Sequence, residues 1–272
     1  MKKGNSVPCC LNTPSSSDLL KITFLGTGTS QGVPVIGCPC EVCHSMDYRD
    51  KRLRSSVHIE VSGKSFVIDT GPDFRQQMLR ERISKLDAVI FTHGHKDHIA
   101  GLDDVRAFNF LQNSDMPIYG TADVMKQLQV EFHYAFGQLR YPGTPQLQLN
   151  EITEKAFEAN GVSVTPLPVR HFKLQVLGFR INDFCYITDA NHVPDSTYEL
   201  MKGTKVLVLN ALQREKHISH FNLTEALEVA ARVGAAQTYF IHISHKLGKH
   251  KQIETELPES VALAYDGLSI TI

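Results

Sequence analysis

Three histidines and one aspartate fall within six consecutive residues of this chain, in the run His93-Gly94-His95-Lys96-Asp97-His98. The apolar run Ala88–Phe91 is separated from them by the single residue Thr92 and predicts a buried strand. In an extended segment residues i and i+2 face the same side, so His93 and His95 can reach a single ion. Asp97 and His98 are neighbours that point differently, which suits a second ion nearby. Since imidazole and carboxylate groups bind zinc and manganese, the pattern predicts a metal centre at the end of a buried strand.

A second cluster is formed by cysteines, in the run Gly37-Cys38-Pro39-Cys40-Glu41-Val42-Cys43. Cysteines this close together are poor partners for separate disulfides and better suited to a metal. Structural zinc takes four ligands, commonly three cysteines and one histidine. His44 is too close in sequence to be the preferred fourth ligand. Cys38, Cys40 and Cys43 therefore predict a zinc site that is completed by a histidine from elsewhere in the chain.

The composition of the chain limits its function class. Thirteen His and six Cys stand among 272 residues, with 42% hydrophobic and 21% charged residues, which excludes wholesale disorder. Lys and Arg number 28 against 29 Asp and Glu, so the net charge of −1 makes a long nucleic acid an improbable partner. No apolar run approaches the roughly 18 residues that span a bilayer, so no membrane partner is expected. Cysteines that suit a metal better than disulfides predict a cytoplasmic protein.

The elements that must position these clusters can be predicted from apolar periodicity and from turn residues. Residues 1–18 are predicted to be a disordered leader, and residues 19–272 a single α/β domain. Asn222 and Glu225 resemble a capping box that opens a helix over Leu223–Val233. Further helices are predicted over Ala122–Phe132, capped by Thr121, over Asp73–Arg82, and from a cap at Asp195 to Lys202. The short apolar runs that predict strands are Ile22–Leu25, Val57–Val61, Phe66–Ile68, Ala88–Phe91, Val162–Val164, Leu177–Ile181, Cys185–Ile187, Val206–Leu209, Thr238–Ile241 and Leu268–Ile272.

The pattern His-x-His-x-Asp-His after an apolar strand resembles the signature of the metallo-β-lactamase superfamily. The resemblance implies an αββα sandwich of two mixed β-sheets with helices on the outer faces. It also implies further ligands at His171, Asp189 and His242, each of which follows a predicted strand. Asp69 matches the early aspartate that supports the site from behind the ligands.

The resemblance also implies which of these residues bind which metal ion. His93, His95 and His171 would hold one catalytic divalent metal, and Asp97, His98 and His242 a second, with Asp189 bridging. Zinc and manganese both fit this ligand set.

The cysteines narrow the resemblance to one subgroup. Cys-x-Cys-x-x-Cys together with the later pair His242 and His245 is similar to the phosphoribosyl 1,2-cyclic phosphate phosphodiesterases. In that subgroup zinc joins the two elements, which makes His245 the expected fourth ligand of one structural zinc.

Catalytic residues are also implied by the resemblance. His220 precedes the predicted helix Leu223–Val233 and resembles a general acid, while His217 competes for that role but does not fit the motif. Asp97 is counted as catalytic as well as a ligand. Arg106 is a candidate substrate ligand that could hold a phosphate, and an ion pair with Asp103 is the alternative.

With these residues, the resemblance implies a metal-dependent phosphodiesterase that hydrolyses a small, cyclic phosphodiester with a hydroxide activated by two metals. A tRNA 3′-processing endoribonuclease is one alternative, although no extended basic arm is visible. A thioester or lactam hydrolase is another, and His220 counts against it. A non-enzymatic, metal-stabilised binding module is disfavoured by the complete ligand set. Because dimers are common among members of this family, the resemblance also implies a homodimer.

Overall fold

The strands of the protein are the frame on which the predicted ligands are placed. A computed structural model describes residues 19–137 and 141–272, so the leader predicted over residues 1–18 lies outside the described residues. In chain order the strands are β1 (Leu20–Gly26), β2 (Ser56–Val61), β3 (Lys64–Ile68), β4 (Ala88–Ile90), β5 (Met116–Gly120), β6 (Leu147–Glu151), β7 (Phe157–Ala159), β8 (Val162–His171), β9 (Leu174–Ile181), β10 (Phe184–Tyr186), β11 (Val206–Asn210), β12 (Gln237–Ile241), β13 (Val261–Leu263) and β14 (Ser269–Thr271).

Within the described ranges these strands form two sheets of seven strands each. The first sheet has the order β14-β1-β2-β3-β4-β5-β6, and the second has the order β13-β12-β11-β10-β9-β8-β7. Neighbours from β14 to β3 are antiparallel and those from β3 to β6 are parallel. In the second sheet β7 to β10 are antiparallel and β10 to β13 are parallel. Both sheets are therefore mixed, as expected.

Alternation along the strands shows how the layers are stacked. In β3, Phe66 and Ile68 face the core between the two sheets, whereas Val67 packs under the helices on the outer face. In β11, Val208 faces the same central core and Leu207 packs under the helices on the opposite outer face. Since successive strand side chains point to opposite faces, strands buried on both sides need a nearly continuous apolar sequence. The architecture is the predicted αββα sandwich, which is confirmed.

The helices cover the two outer faces. They are α1 (Phe74–Glu81), α2 (Lys96–Ile99), α3 (Arg106–Gln112), α4 (Ala122–Glu131), α5 (His133–Phe136), α6 (Asp195–Met201), α7 (Leu223–Val233) and α8 (His250–Glu254). Helix α7 begins with the predicted capping box, because the Asn222 side chain accepts from Glu225 N and the Glu225 side chain accepts from Asn222 N. In the described part of the chain, no helix has both the length and the apolar character required to cross a membrane.

One edge of the sandwich collects the carboxyl ends of parallel strands. Strands β8, β10, β11 and β12 point the same way, and so do β3 and β4. His171 is the last residue of β8, and His242 directly follows β12. Asp69 directly follows β3, so polar side chains from both sheets converge where the backbone leaves the sheets.

Candidate metal centre

The seven predicted catalytic ligands lie together at this edge. The first sheet supplies the segment after β4, and the second supplies the ends of β8, β10 and β12. Within each of two groups, one ligand atom from every residue lies within 4.8 Å of all the others. The two groups share Asp189, which fits its expected bridging position. The groups are His93, His95, His171 and Asp189, and then Asp97, His98, Asp189 and His242.

The contacts of His98 show that these residues fit a metal ion. Its Nδ1 donates to Asp69 Oδ2 at 2.7 Å, and its Nε2 lies 3.2 Å from Asp97 Oδ2 and 3.5 Å from Asp189 Oδ1. Nε2 is buried and, among the described residues, has no hydrogen-bond partner of acceptable geometry. Burial lowers the pKa of His98, but the charges of Asp189, Asp69 and Asp97 outweigh it and raise that pKa well above the usual value. The site therefore requires positive charge between these atoms, and a divalent metal would supply it.

The other imidazoles at the centre are oriented in the same way. His93 Nδ1 lies 3.0 Å from Thr92 Oγ1, whose own proton goes to Asp69 Oδ2 at 2.7 Å, so His93 is the donor. His171 Nδ1 donates to the Ser219 carbonyl at 2.8 Å. In both residues the proton is fixed on Nδ1, which leaves the Nε2 lone pair for a metal.

Burial keeps most of these ring nitrogens unprotonated. It lowers the pKa of His93 and His171, and it lowers the pKa of His242 to about 4. Neutral imidazole is the form that binds a metal, so these rings need to lose no proton near neutral pH.

Backbone strain is concentrated at the same place. Asp69, Asp189 and His242 have φ angles of +64°, +51° and +55°, in the left-handed region that non-glycine residues rarely adopt. Each of them follows the end of a strand, where the left-handed residue turns the chain sharply. Such strain costs about 1–3 kcal/mol per residue and persists where the surrounding structure enforces it.

The cysteine cluster forms a separate group with His245. His245 Nδ1 lies 3.3 Å from both Cys38 Sγ and Cys40 Sγ, and all four ligand atoms lie within 4.8 Å of one another. The Cys43 backbone N–H donates to Cys40 Sγ at 3.4 Å and is the main reason that the pKa of Cys40 falls to about 6. His44 is exposed and outside the group. Three sulfurs and one nitrogen fit a closed, tetrahedral structural zinc site.

Two further predicted residues, His220 and Arg106, lie outside the ligand groups. His220 Nε2 is 3.2 Å from Asp189 Oδ2, and its ring stacks on that of His242 at 4.8 Å. Arg106 forms an ion pair with Asp103 at 3.2 Å, which is the alternative that the sequence left open. The catalytic role of His220 and the phosphate-binding role of Arg106 stay predictions.

Several supporting side chains could not be found from the sequence. The Thr92 hydroxyl links His93 to Asp69, and Ser55 Oγ lies 3.2 Å from His242 Nδ1. The buried side chain of Asn210 donates to and accepts from the Ala190 backbone, which fixes the turn after Asp189. Isolated Ser, Thr and Asn residues carry no spacing signal, so only the fold reveals these contacts.

Comparison with known families decides what this architecture is. A family model described as a beta-lactamase superfamily domain matches residues 64–243, well over half of the chain, including all seven residues of the two catalytic groups. The chain belongs to the metallo-β-lactamase superfamily of metal-dependent hydrolases. The cysteine cluster and His245 lie outside the matched residues.

Among members of the superfamily, the chain is related to the PhnP subgroup. A crystal structure described as a new diphosphatase from the PhnP family is 40% identical, with a TM-score of 0.88, over 93% of this chain and 97% of that one. A ribonuclease Z from Mycobacterium sp. (strain KMS) is 26% identical over 82% of this chain and 84% of that protein.

A further relative is much longer than this chain. An octanoyltransferase from Porphyromonas gingivalis (strain ATCC BAA-308 / W83) is 37% identical over 93% of this chain. The match spans 52% of that protein, so nearly half of it has no counterpart here. Its name therefore does not assign an activity to the part that this chain matches.

Proposed function

We propose that this protein is a metal-dependent phosphodiesterase that hydrolyses a small, cyclic phosphodiester. The observation that carries the proposal is the position of His220, whose Nε2 lies 3.2 Å from Asp189 Oδ2, the carboxylate shared by the two ligand groups. A group that can donate a proton thus lies next to the place where a phosphoryl group would meet the metals. Thioester hydrolysis does not require an acid here, because a thiolate departs without a proton, whereas an alkoxide that leaves phosphorus needs one.

The ligand groups would hold two divalent metals, zinc or manganese. His93, His95 and His171 would hold one, Asp97, His98 and His242 the other, and Asp189 would contact both. Bound metals of this kind acidify a water molecule and stabilise charge on phosphoryl oxygens.

The protein groups around the ligands would do the rest. Asp69 and Ser219 fix the orientation of His98 and His171 through Nδ1, so that neither ring rotates during the reaction. His220 would hold a proton at Nε2 and transfer it to the departing alkoxide. Asp97, a ligand beside His98, would help to orient the attacking water.

The net charge of the chain and its likeness to known proteins both favour a small substrate. The likeness to the PhnP family and the Cys₃His group favour a small phosphodiester or a diphosphate ester. Similarity to ribonuclease Z keeps tRNA 3′-processing as the second candidate. A net charge of −1 counts against a long polyanionic substrate, because phosphate contacts by Lys and Arg dominate such binding.

The test is a comparison of substrates with protein loaded with Zn²⁺ or Mn²⁺. Bis-p-nitrophenyl phosphate, a five-membered ribose cyclic phosphate, a nucleoside diphosphate sugar, a precursor tRNA and a thioester would be assayed side by side. We expect the cyclic phosphate to have the highest kcat/KM. Faster cleavage of the precursor tRNA or the diphosphate would contradict the cyclic phosphodiester as the substrate.

A matched pair of variants shows whether the activity belongs to this centre. Asp189→Asn should lower kcat by more than about 100-fold, because even residues behind the ligands cost 10–100-fold. Asp183→Asn, which removes a partly exposed carboxylate paired with Lys205, should keep full activity. A fully metallated protein with no metal-dependent diesterase activity would contradict the proposal.

A further inference from the structure

His220 has a different partner on each ring nitrogen. Nε2 faces Asp189 Oδ2, whereas Nδ1 lies 3.1 Å from His217 Nδ1 and 3.0 Å from Ser219 Oγ. His220 is buried, while His217 is exposed. The two rings, with centroids 5.0 Å apart, thus connect the metal centre with solvent.

His217 can serve as the acceptor in this contact. Partial burial, followed by the charge of His220, lowers the pKa of His217, which favours a neutral ring with a free lone pair. When His220 carries a proton on both nitrogens, its Nδ1–H must be donated to a neighbour. His217 Nδ1 and Ser219 Oγ are the acceptors within reach, and the serine hydroxyl also lies 3.3 Å from His217 Nδ1.

We propose that His217 is a positioning residue for His220: it accepts the Nδ1–H of His220 and thereby directs Nε2–H towards the leaving oxygen. The inference rests on the proposed function, in which His220 is the acid. During hydrolysis the bond from phosphorus to the leaving oxygen breaks with its electron pair on oxygen. That oxygen takes the Nε2 proton, and water returns one proton to the ring of His220. A base oriented by a third group is the logic of catalytic triads, here with imidazole as the third group.

Leaving-group dependence separates this role from a structural one. Two diesters of one series would be compared, one that releases an alkoxide and one that releases 4-nitrophenolate, which departs without a proton. His217→Ala should lower kcat for the alkyl diester about 10–100-fold, and the loss should be at least about ten times smaller for the nitrophenyl diester. His217→Asn, whose side-chain oxygen can accept at the same place, should restore most of the loss. Equal losses on both diesters, or no loss on the alkyl diester, would overturn the inference.

Two controls complete the kinetic test. His133→Ala removes an exposed imidazole from α5 and should change neither rate. Metal content should be the same in all variants, and its loss in His217→Ala would make the residue a support of the metals and overturn the inference. His220→Ala should show the same leaving-group dependence as His217→Ala, and equal losses there would contradict the proposed function as well.

A readout without turnover separates failure of the inference from failure of the proposed function. In ¹⁵N–¹H spectra of zinc-loaded protein with labelled histidine, the Nδ1–H of His220 should give a slowly exchanging signal. The signal should disappear in His217→Ala and persist in His133→Ala. If it persists in His217→Ala, or is never seen in the wild type, the positioning contact does not exist. If it behaves as expected while both diesters stay intact, the contact exists but the proposed phosphodiesterase function and the catalytic role of His217 are both wrong.

Discussion

At the scale of single residues, hydrogen bonds from the ring nitrogens of the ligand histidines fix the orientation of their rings. Asp69 accepts three hydrogen bonds, from the Thr92 amide, the Thr92 hydroxyl and His98 Nδ1. Because the Thr92 hydroxyl in turn receives the proton of His93 Nδ1, one buried carboxylate orients a histidine in each ligand group. Asp69 thus orients one histidine of each ligand group without belonging to either group.

Replacing Asp69 tests this control. In Asp69→Asn the amide has one acceptor oxygen in place of two, so one of the three donors loses its partner. We expect zinc affinity at the dinuclear centre to fall about 10–100-fold. Competition with a chelator of known affinity would measure it.

Asp103→Asn is the matched control for that measurement, since it removes a partly exposed carboxylate that pairs with Arg106 and Tyr134 instead. Zinc affinity should be the same in Asp103→Asn and the wild type. An unchanged affinity in Asp69→Asn would show that the rings keep their orientation without the carboxylate.

At the scale of elements, the segment that carries the cysteines has little regular structure of its own. Between β1 and β2 the described backbone consists of turns, isolated bridges and the 3₁₀ helix Tyr48–Asp50. His245 lies shortly after β12, in the other sheet. A zinc ion held by this group would therefore attach the loop to the second sheet in place of a hydrogen-bonded ladder.

Removing one of the three cysteine thiolates should detach the loop between β1 and β2 from the second sheet. Cys40→Ser should contain about two metals per chain where the wild type contains about three. Its Tm should fall by more than about 5 °C, because the folding energy from the metal is lost. Elemental analysis and thermal unfolding would measure both. His44→Ala, an exposed neighbour outside the group, should match the wild type, and a Cys40→Ser protein with full metal content and Tm would refute the site.

How far the elements can be predicted depends on their sequence signals. Strand β4 and helix α7 are found because an apolar run marks the strand and a capping box marks the start of the helix. Strand β8 is predicted only over Val162–Val164 but extends to His171, since Pro166 and Pro168 look like strand breakers. Strand β6 is missed because its sequence LQLNE is too polar. The predicted cap at Asp195 is wrong: Asp195 is the first residue of α6, and Pro194 holds the N-cap position.

Candidate site residues are predicted better than the strands because their chemistry requires fixed types and spacing. The segment from His93 to His98 is local, and the family resemblance supplies His171, Asp189 and His242. The structure brings all of these together. The contact between His217 and His220 escapes prediction, because which nitrogen faces which neighbour depends on the turn before α7.

At the scale of the whole molecule, the two ligand groups draw their residues from both sheets. The ligands of the first sheet follow β4, and those of the second sheet are the last residue of β8 and residues that follow β10 and β12. The apolar core between the sheets holds them together below, while bound metals would hold them at the edge. Without metal, the carboxylates of Asp97 and Asp189 repel each other at that edge, and the neighbouring histidines His98 and His242 offset their charge.

Metal removal should therefore loosen the edge where the sheets meet. In the Cys40→Ser background, which lacks the loop site, chelation should lower Tm further and speed amide exchange at the carboxyl ends of β4 and β12. Adding Zn²⁺ back should reverse both effects, because a ligand that binds only the folded state stabilises it. Unchanged exchange at these ends after chelation would show that the apolar core alone fixes the two sheets.

The pairing of the first and last strands has a consequence for the order of events during synthesis. Strand β1 pairs with β14, and Leu20 and Ile272 exchange two backbone hydrogen bonds of 2.9 Å. On the ribosome β1 emerges long before β14, because the other twelve described strands lie between them in the sequence. His242 and His245 emerge late as well, so a nascent chain released before β12 would carry neither the second catalytic group nor the cysteine site in complete form. On the ribosome the ligand groups thus become complete only after β12 has been translated.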